Sequence, residues 1–204
     1  MYAPTITPFQ SRPSPGDGGL LGAPPEYNVR RFGGPKDTLR LMAEHALGKY
    51  GEQSMLVRQF TENVLRYVQP KDYLGEMLAI RNVFVQPSPY IRLKPAPALF
   101  RYTNDPRHVE MVKTPDRIAR EVAQHGSSLI DCDESACMAA TMLLQIGRKV
   151  ELVAMGFEPG KLSHVAVRGQ EPKSNKWILL DGVAGPREKE AAGKAKQLLV
   201  WSLD

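Results

Sequence analysis

A cysteine, a histidine and an aspartate occur in that order in the C-terminal half of the chain, a combination that can transfer acyl groups. Cys132 lies in LIDCDESACMAATMLLQIG (residues 129–147), between two aspartates at the start of an apolar run, whereas Cys137 lies inside that run. Asp131 and Glu134 fit the reciprocal capping pattern, which predicts that a helix begins at Cys132. Free N–H groups and the helix dipole favour an anion there, so we expect the pKa of this thiol to be lowered.

The carboxylates around Cys132 oppose that lowering, so the thiol needs a cationic partner, which a histidine would supply. Of the four histidines, His45 is predicted at the surface or boundary of an amphipathic helix, and His108 in a loop. His125 closes a predicted helix, where its charge complements the carbonyl end. His164 instead opens the predicted strand HVAVR after a loop, where it can face a helix end across a cleft.

Asp181 ends the next predicted strand, WILLD, where its carboxylate could orient the His164 ring and stabilise its cation. The pattern therefore predicts Cys132 as nucleophile, His164 as base and Asp181 as orienter. A metal site made of the same three residues is an alternative, which the complete triad disfavours. Cys137 would point about 140° away from Cys132 on a helix, which argues against a shared metal.

The stretch DCDESACMAATMLLQIGRKVELVAMGF, followed by SHVAVR and WILLD, resembles the core of the transglutaminase-like superfamily, a branch of the papain-like cysteine enzymes. The family pattern is an acid-flanked cysteine at a helix start, a helix of small and apolar residues, a strand, H-x-x-V and W-x-x-L-D. The resemblance covers roughly residues 70 to 183, through KDYLGEMLAIRNVF and TPDRIAREV, and reaches proteins of tailed-phage structural and assembly genes. The chain departs from the pattern at Ile130, where glycine is usual, and at Gly182-Val183, where Pro-Thr is common.

The resemblance implies a Cys132 nucleophile, a His164 general base and an Asp181 orienter acting on an amide or peptide bond of a protein or peptide substrate. A thioester intermediate would then give hydrolysis with water or an isopeptide cross-link with a lysine amine. No metal or organic cofactor is required, and the backbone N–H of Cys132 is the one oxyanion donor that the sequence identifies. The phage setting implies the virion or the host cytoplasm as location. The rival interpretation is a non-enzymatic virion structural or assembly protein.

The arrangement of predicted elements favours an α+β fold with a mostly antiparallel sheet. Residues 1–35, rich in proline and glycine, are predicted to be an extended arm, either disordered or able to dock on other virion subunits. Residues 36–204 would form the transglutaminase-like domain, with a helical part at 36–125 and a catalytic-type core at 126–204. Helix starts are predicted from caps at Asp37, Ser54, Asp72 and Thr114. Strands are predicted at 150–157, 164–168, 177–180 and 198–203.

Composition excludes several other classes of protein. The net charge of +5 is spread among acids without a basic block, so the sequence predicts no clear nucleic-acid site. No apolar run approaches the roughly 18 residues of a membrane span, and MYAPTITPFQ does not have the pattern of a signal peptide. Two cysteines five residues apart on one helix are separated by about 7.5 Å along its axis, too far for a disulfide. Free thiols suit a reducing compartment such as the cytosol.

Overall fold

The computed structural model describes residues 28–30, 34–85, 99–105, 110–183 and 192–203. The described helices are α1 (Pro35–Leu47), α2 (Met55–Leu65), α3 (Tyr73–Phe84), α4 (Pro115–His125) and α5 (Cys132–Gln145). The described strands are β1 (Asn28–Arg30), β2 (Phe100–Tyr102), β3 (Glu110–Val112), β4 (Ser128–Ile130), β5 (Val150–Gly156), β6 (His164–Gln170), β7 (Trp177–Leu180) and β8 (Gln197–Ser202). The fold is therefore mixed α+β, with most helices before the main strands.

The main sheet has four antiparallel strands in the order β7-β6-β5-β8. This confirms the predicted α+β class, its antiparallel sheet and the four strands assigned to it, with shifts of one or two residues at several ends. Two small pairs lie outside this sheet: β1 with β3, antiparallel, and β2 with β4, parallel. The parallel pair was not predicted, and it matters because β4 leads directly into α5.

Helix α5 is buried along most of its length, with contacts to the helices and to strands β5 and β6. Its small residues, among them Ala136, Ala139 and Ala140, are buried and let neighbouring elements approach closely. Larger side chains such as Met138 and Leu143 are fully buried and belong to the central hydrophobic cluster. The apolar run after Cys132 is therefore core, as the sequence predicts.

Local signals set three of the four predicted helix starts. Ser54, Asp72 and Thr114 each accept a hydrogen bond from the backbone N–H three residues later, which confirms them as caps. The predicted cap at Asp37 is wrong, because α1 begins at Pro35 and Gly34 occupies the cap position. Proline is well suited to the first helical position, where a missing N–H costs nothing, so the helix starts before the predicted boundary.

The predicted arm is described only in part. Residues 28–30 form β1 and Pro35 begins α1, whereas residues 1–27 and 31–33 lie outside the described residues. One hydrophobic cluster joins residues from α1 through to Leu203, so the helical part and the sheet share a core. No helix in the described ranges is long and apolar enough to cross a membrane.

Candidate active site

The start of α5 is fixed by a complete capping box. The Asp131 carboxylate accepts hydrogen bonds from the N–H groups of Asp133 and Glu134, at 2.9 and 3.2 Å. The Glu134 carboxylate in return accepts from the N–H of Asp131 at 2.9 Å. Cys132 consequently occupies the first helical position, which confirms the prediction made from the spacing of these acids.

His164 begins β6 and is held by the carboxylate predicted to orient it. Its Nε2 lies 2.6 Å from Asp181 Oδ2, and the other carboxylate oxygen accepts the N–H of Val183 at 2.9 Å. Asp181 is only 1% exposed, so water does not compete for the imidazole. Because Asp181 occupies Nε2, Nδ1 is the ring nitrogen left for a reacting group. The Phe157 ring flanks the imidazole, with centroids 6.5 Å apart.

Gly182 explains how Asp181 can be buried at this point. A Cβ on residue 182 would lie 2.5 Å from Ser135 Oγ and 2.6 Å from Phe84 Cβ, closer than side chains pack. The bare backbone at 182 therefore lets the end of β7 lie against α5 and α3. Glycine at position 182 is therefore a packing requirement of this chain.

Cys132 and His164 line the same cavity, which has a volume of about 230 Å³. The other lining residues come from α1, the β2 end, the α5 start and the β5–β6 region: Pro35, Thr38, Tyr102, Asn104, Asp105, Asp131, Asp133, Ala154, Leu162, Ser163 and Val165. Asp181 is not a lining residue and reaches the cavity through the His164 ring. The structure thus brings the three predicted site residues into one constellation.

The Cys132 thiol is not bonded to the histidine. It donates to Asp133 Oδ1 at 3.5 Å, and no hydrogen bond between Cys132 and His164 occurs in the described part of the chain. Burial, followed by the charges of Asp133 and Asp131, raises the pKa of the thiol, and the backbone N–H of Val165 offsets this only in part. The expected lowering of this pKa is therefore wrong, because desolvation and two carboxylates outweigh the helix start.

The sequence did not reveal that residues at the end of β2 and after it line the cavity. Tyr102, Asn104 and Asp105 end or follow β2, which pairs with β4 so that Tyr102 lies opposite Ile130. Burial and the nearby charges of Asp131, Asp133 and Asp105 raise the pKa of Tyr102 to about 12, so its hydroxyl keeps its proton at neutral pH. The parallel pairing that places these residues has no local signature in FRYTND.

The remaining histidines and the second cysteine lie elsewhere. His45 is only 8% exposed, so its prediction at the surface or boundary is wrong: it faces the core rather than solvent. His125 ends α4 before Gly126, which has a φ of 74° and closes the helix, as predicted. His108 lies outside the described residues. Cys137 is fully buried and donates to the Met42 carbonyl at 3.4 Å.

Both cysteines are free thiols. Within the described ranges, no group of three or more histidine, cysteine, aspartate or glutamate side chains could hold a metal ion.

Comparisons with known protein families, with characterised proteins and with solved structures find no match to this chain.

Proposed function

We propose that this chain is a transglutaminase-like cysteine enzyme with a papain-like core, which transfers acyl groups from an amide or peptide to water or to an amine. The observation that carries the proposal is the cavity shared by Cys132 and His164. The imidazole of His164 is held there through its Nε2, which lies 2.6 Å from Asp181 Oδ2. This is the nucleophile, base and orienter arrangement of cysteine acyltransferases.

The first half of the reaction forms a thioester. The Cys132 sulfur attacks the carbonyl carbon while its proton passes to Nδ1 of His164, and Asp181 stabilises the resulting imidazolium. As the tetrahedral intermediate collapses, the C–N bond breaks and His164 gives its proton to the departing amine or ammonia. The products are a Cys132 thioester, a neutral imidazole and the free amine.

Two groups of this chain are suited to stabilise the oxyanion. The N–H of Cys132 is at the first position of α5, where no carbonyl of the helix can accept it. Tyr102 lines the same cavity, and with a pKa of about 12 its hydroxyl is protonated at neutral pH. We assign the second donor, which the sequence did not identify, to Tyr102.

The second half releases the acyl group. Water, or a primary amine, attacks the thioester while His164 removes its proton, and the C–S bond then breaks. His164 returns the proton to the Cys132 sulfur, which restores the thiol. Hydrolysis and cross-linking differ only in this attacking group, so the same three residues serve both.

The resting thiol of this enzyme is neutral. The pKa of Cys132 is raised, and its proton lies toward Asp133 at 3.5 Å. Attack therefore requires the thiol to leave Asp133 and give its proton to His164 during the reaction, rather than before it. Asp133 thus restrains the nucleophile until the substrate fills the cavity.

A second function is favoured by the contact of the Cys132 thiol with Asp133 in place of His164. A chain that retains the fold as a virion structural or assembly protein would have no need for a Cys132–His164 hydrogen bond, and none occurs in the described residues. In this alternative, residues 1–35 dock the domain on other virion subunits. Both functions place the protein in a phage particle or its assembly in the host cytoplasm, a setting that only the sequence resemblance supports.

An amine-incorporation assay separates the two. Glutamine- and asparagine-containing peptides are incubated with the protein and a fluorescent primary amine, and ammonia release and amine incorporation are both followed. We expect Cys132→Ala and His164→Ala to lose about a thousandfold or more of either activity. Cys137→Ala is the matched control and should keep both. Activity that survives Cys132→Ala would exclude the enzyme proposal.

A further inference from the structure

A lysine outside the cavity binds the chain on both sides of the cysteine. The backbone N–H of Lys113, the residue after β3, donates to Glu134 Oε1 at 3.3 Å, just beyond Cys132 in the first turn of α5. The ammonium of the same residue donates to the backbone carbonyl of Leu129, which precedes Cys132 in β4. One residue therefore binds both the strand that leads to the nucleophile and the helix that carries it.

The ammonium of Lys113 also takes part in an ion pair that is largely removed from water. Its Nζ lies 3.2 Å from Glu121 Oε2, and the two side chains are 11% and 13% exposed. Burial by itself would raise the pKa of Glu121, but hydrogen bonds from Ser128 and Arg117 and the charge of Lys113 outweigh it and lower this pKa. The carboxylate is therefore ionised at neutral pH and attracts the ammonium.

The carboxylate of this pair is bound to β4 as well. Ser128 Oγ donates to Glu121 Oε2 at 2.6 Å, and Arg117, one turn earlier in α4, donates to Oε1 at 2.7 Å. Two consecutive residues of β4, Ser128 and Leu129, are thus held by the two members of the ion pair. The strand before the nucleophile is consequently fixed on α4 through charged groups.

The position of β4 affects the geometry of the whole site. It pairs in parallel with β2, where Tyr102 lies opposite Ile130, and it leads directly to Cys132. His164, in contrast, lies on β6 in the separate four-stranded sheet. A displacement of β4 would therefore move the nucleophile and the assigned oxyanion donor relative to the histidine.

We infer that Lys113, together with Glu121, is a positioning residue that holds the turn between β4 and α5 where Cys132 can react with His164. The inference deepens the proposed function and rests on it. Neither side chain is among the described residues that line the cavity, so the pair acts through the turn and does not touch the substrate.

The energetics of a buried ion pair favour such a role over a purely stabilising one. The cost of taking two charges out of water offsets most of their attraction, so the net stabilisation by a buried pair is small. Hydrogen bonds to charged groups nevertheless have definite directions and distances. The Lys113–Glu121 pair is therefore better suited to fix the position of β4 than to raise the stability of the fold.

The substitution Lys113→Met removes the ammonium and keeps an unbranched apolar side chain. The backbone N–H that binds Glu134 remains, so α5 keeps its capping box. The ion pair of Arg148 and Glu76, at the opposite end of α5, supplies the matched control, with side chains 9% and 18% exposed. Arg148→Met removes a similarly buried cation about 20 Å from Cys132. Urea unfolding of both variants gives the change in global stability that each causes.

Amide hydrogen exchange reports on the turn itself and needs no enzymatic activity. The N–H groups of Asp133 and Glu134, which bind Asp131, belong to the first turn of α5. After correction for global stability, we expect them to exchange about tenfold faster or more in Lys113→Met and at the unaltered rate in Arg148→Met. Unchanged first-turn rates in Lys113→Met, or equal acceleration in both variants, would overturn the inference.

Alkylation of Cys132 by iodoacetamide shows whether the turn serves the histidine. We expect Lys113→Met to slow this reaction about tenfold where His164 is present and to have no further effect in the His164→Ala background. Arg148→Met should leave the rate unchanged in both backgrounds. Equal slowing by Lys113→Met with and without His164 would overturn the inference, because the lysine would then act independently of the pair.

Peptide turnover separates this inference from the proposed function. Lys113→Met should lower kcat by about ten- to a hundredfold with little change in KM, because a displaced nucleophile reduces the rate and not the binding. An unchanged kcat in Lys113→Met would overturn the inference and leave the function standing. If His164→Ala changes neither turnover nor alkylation, the function fails, whereas faster first-turn exchange in Lys113→Met alone would still show that this lysine holds the turn.

Discussion

The two cysteines of α5 have the same side chain on the same helix and entirely different surroundings. Burial raises the pKa of both thiols, so neither thiol is activated at rest. Cys137 is fully buried and bonds a carbonyl of α1, whereas Cys132 opens into a cavity that it shares with His164. The comparison teaches that the two thiols differ in their access to His164 and to the cavity, and not in their resting ionisation.

The largest expected effect is the loss of acyl transfer at Cys132, which would leave this thiol as unreactive toward amides as Cys137. In Asp181→Asn, the amide NH₂ can donate to His164 Nε2, which moves the ring proton to Nδ1 and removes the base from the cavity. We expect acyl transfer to fall by about 10³- to 10⁴-fold while binding persists, measured as kcat and KM separately. Asp116→Asn, a similarly buried carboxylate bound to Ser54 and Arg120, is the control. Equal losses in the two variants would contradict a specific role for Asp181.

The next effect measures the access of each thiol directly. Iodoacetamide should modify Cys132 in the folded protein about a thousandfold faster than Cys137, because Cys137 must wait for an unfolding event of about 5 kcal/mol or more. In urea the two rates should become similar. Modification followed by peptide mass gives both rates in one sample. Comparable rates in the folded state would show that α5 opens as a unit and would remove the contrast.

A smaller effect is an increase in reactivity: we expect one substitution beside Cys132 to speed its alkylation. Asp133→Asn removes the carboxylate that accepts the Cys132 thiol and that raises its pKa. One pKa unit is a factor of ten in thiolate at neutral pH, so we expect alkylation of Cys132 at pH 7 to rise by about tenfold. Cys137 should not change. A slower Cys132 in this variant would contradict the restraining role of Asp133.

The last prediction concerns the unfolding free energy and its dependence on pH, which we expect to arise in the first turn of α5 and not in its apolar middle. Burial and the nearby Asp131 raise the pKa of Glu134 to about 8. The folded protein therefore holds this proton after the unfolded chain has lost it, so stability falls as pH rises from about 4.5 to 8. Relative to the unaltered protein, Glu134→Gln should gain about 3 kcal/mol in unfolding free energy between pH 5 and 7.5.

Cys137→Ala, in the apolar middle of the helix, is the control for this pH dependence. Its loss of about 1 kcal/mol reflects missing packing and should be the same at both pH values. Urea unfolding at pH 5 and 7.5 measures both variants. A pH-independent difference for Glu134→Gln would show that Glu134 is ionised in the fold throughout.

Much of the candidate site could be predicted because its signals are local. The Asp131–Glu134 spacing indicated the helix start, and hydrophobic alternation placed His164 and Asp181 at strand ends that adjoin in the sheet. These features depend on neighbours within a few residues or on consecutive strands. The antiparallel sheet was predicted from the order of the elements, with helices first and strands after.

The rest depends on contacts between distant segments. Tyr102 reaches the cavity only because β2 pairs in parallel with β4, and nothing in either strand specifies that partner. The direction of the Cys132 pKa depends on how deeply the helix start is buried, which spacing does not give. Gly182 is required by Ser135 and Phe84, which lie on two other elements of the fold.

The central claim is that Cys132 and His164 act as a pair, and one measurement tests it most directly. The alkylation rate of Cys132 by iodoacetamide is followed from pH 5 to 9 in the unaltered protein and in His164→Ala, with Cys137 as the internal reference. We predict that His164→Ala slows Cys132 by about tenfold or more at pH 7, because the thiol then has no base to take its proton. Superimposable rate profiles for the two proteins would contradict it, because His164 would then have no part in moving the proton of the thiol.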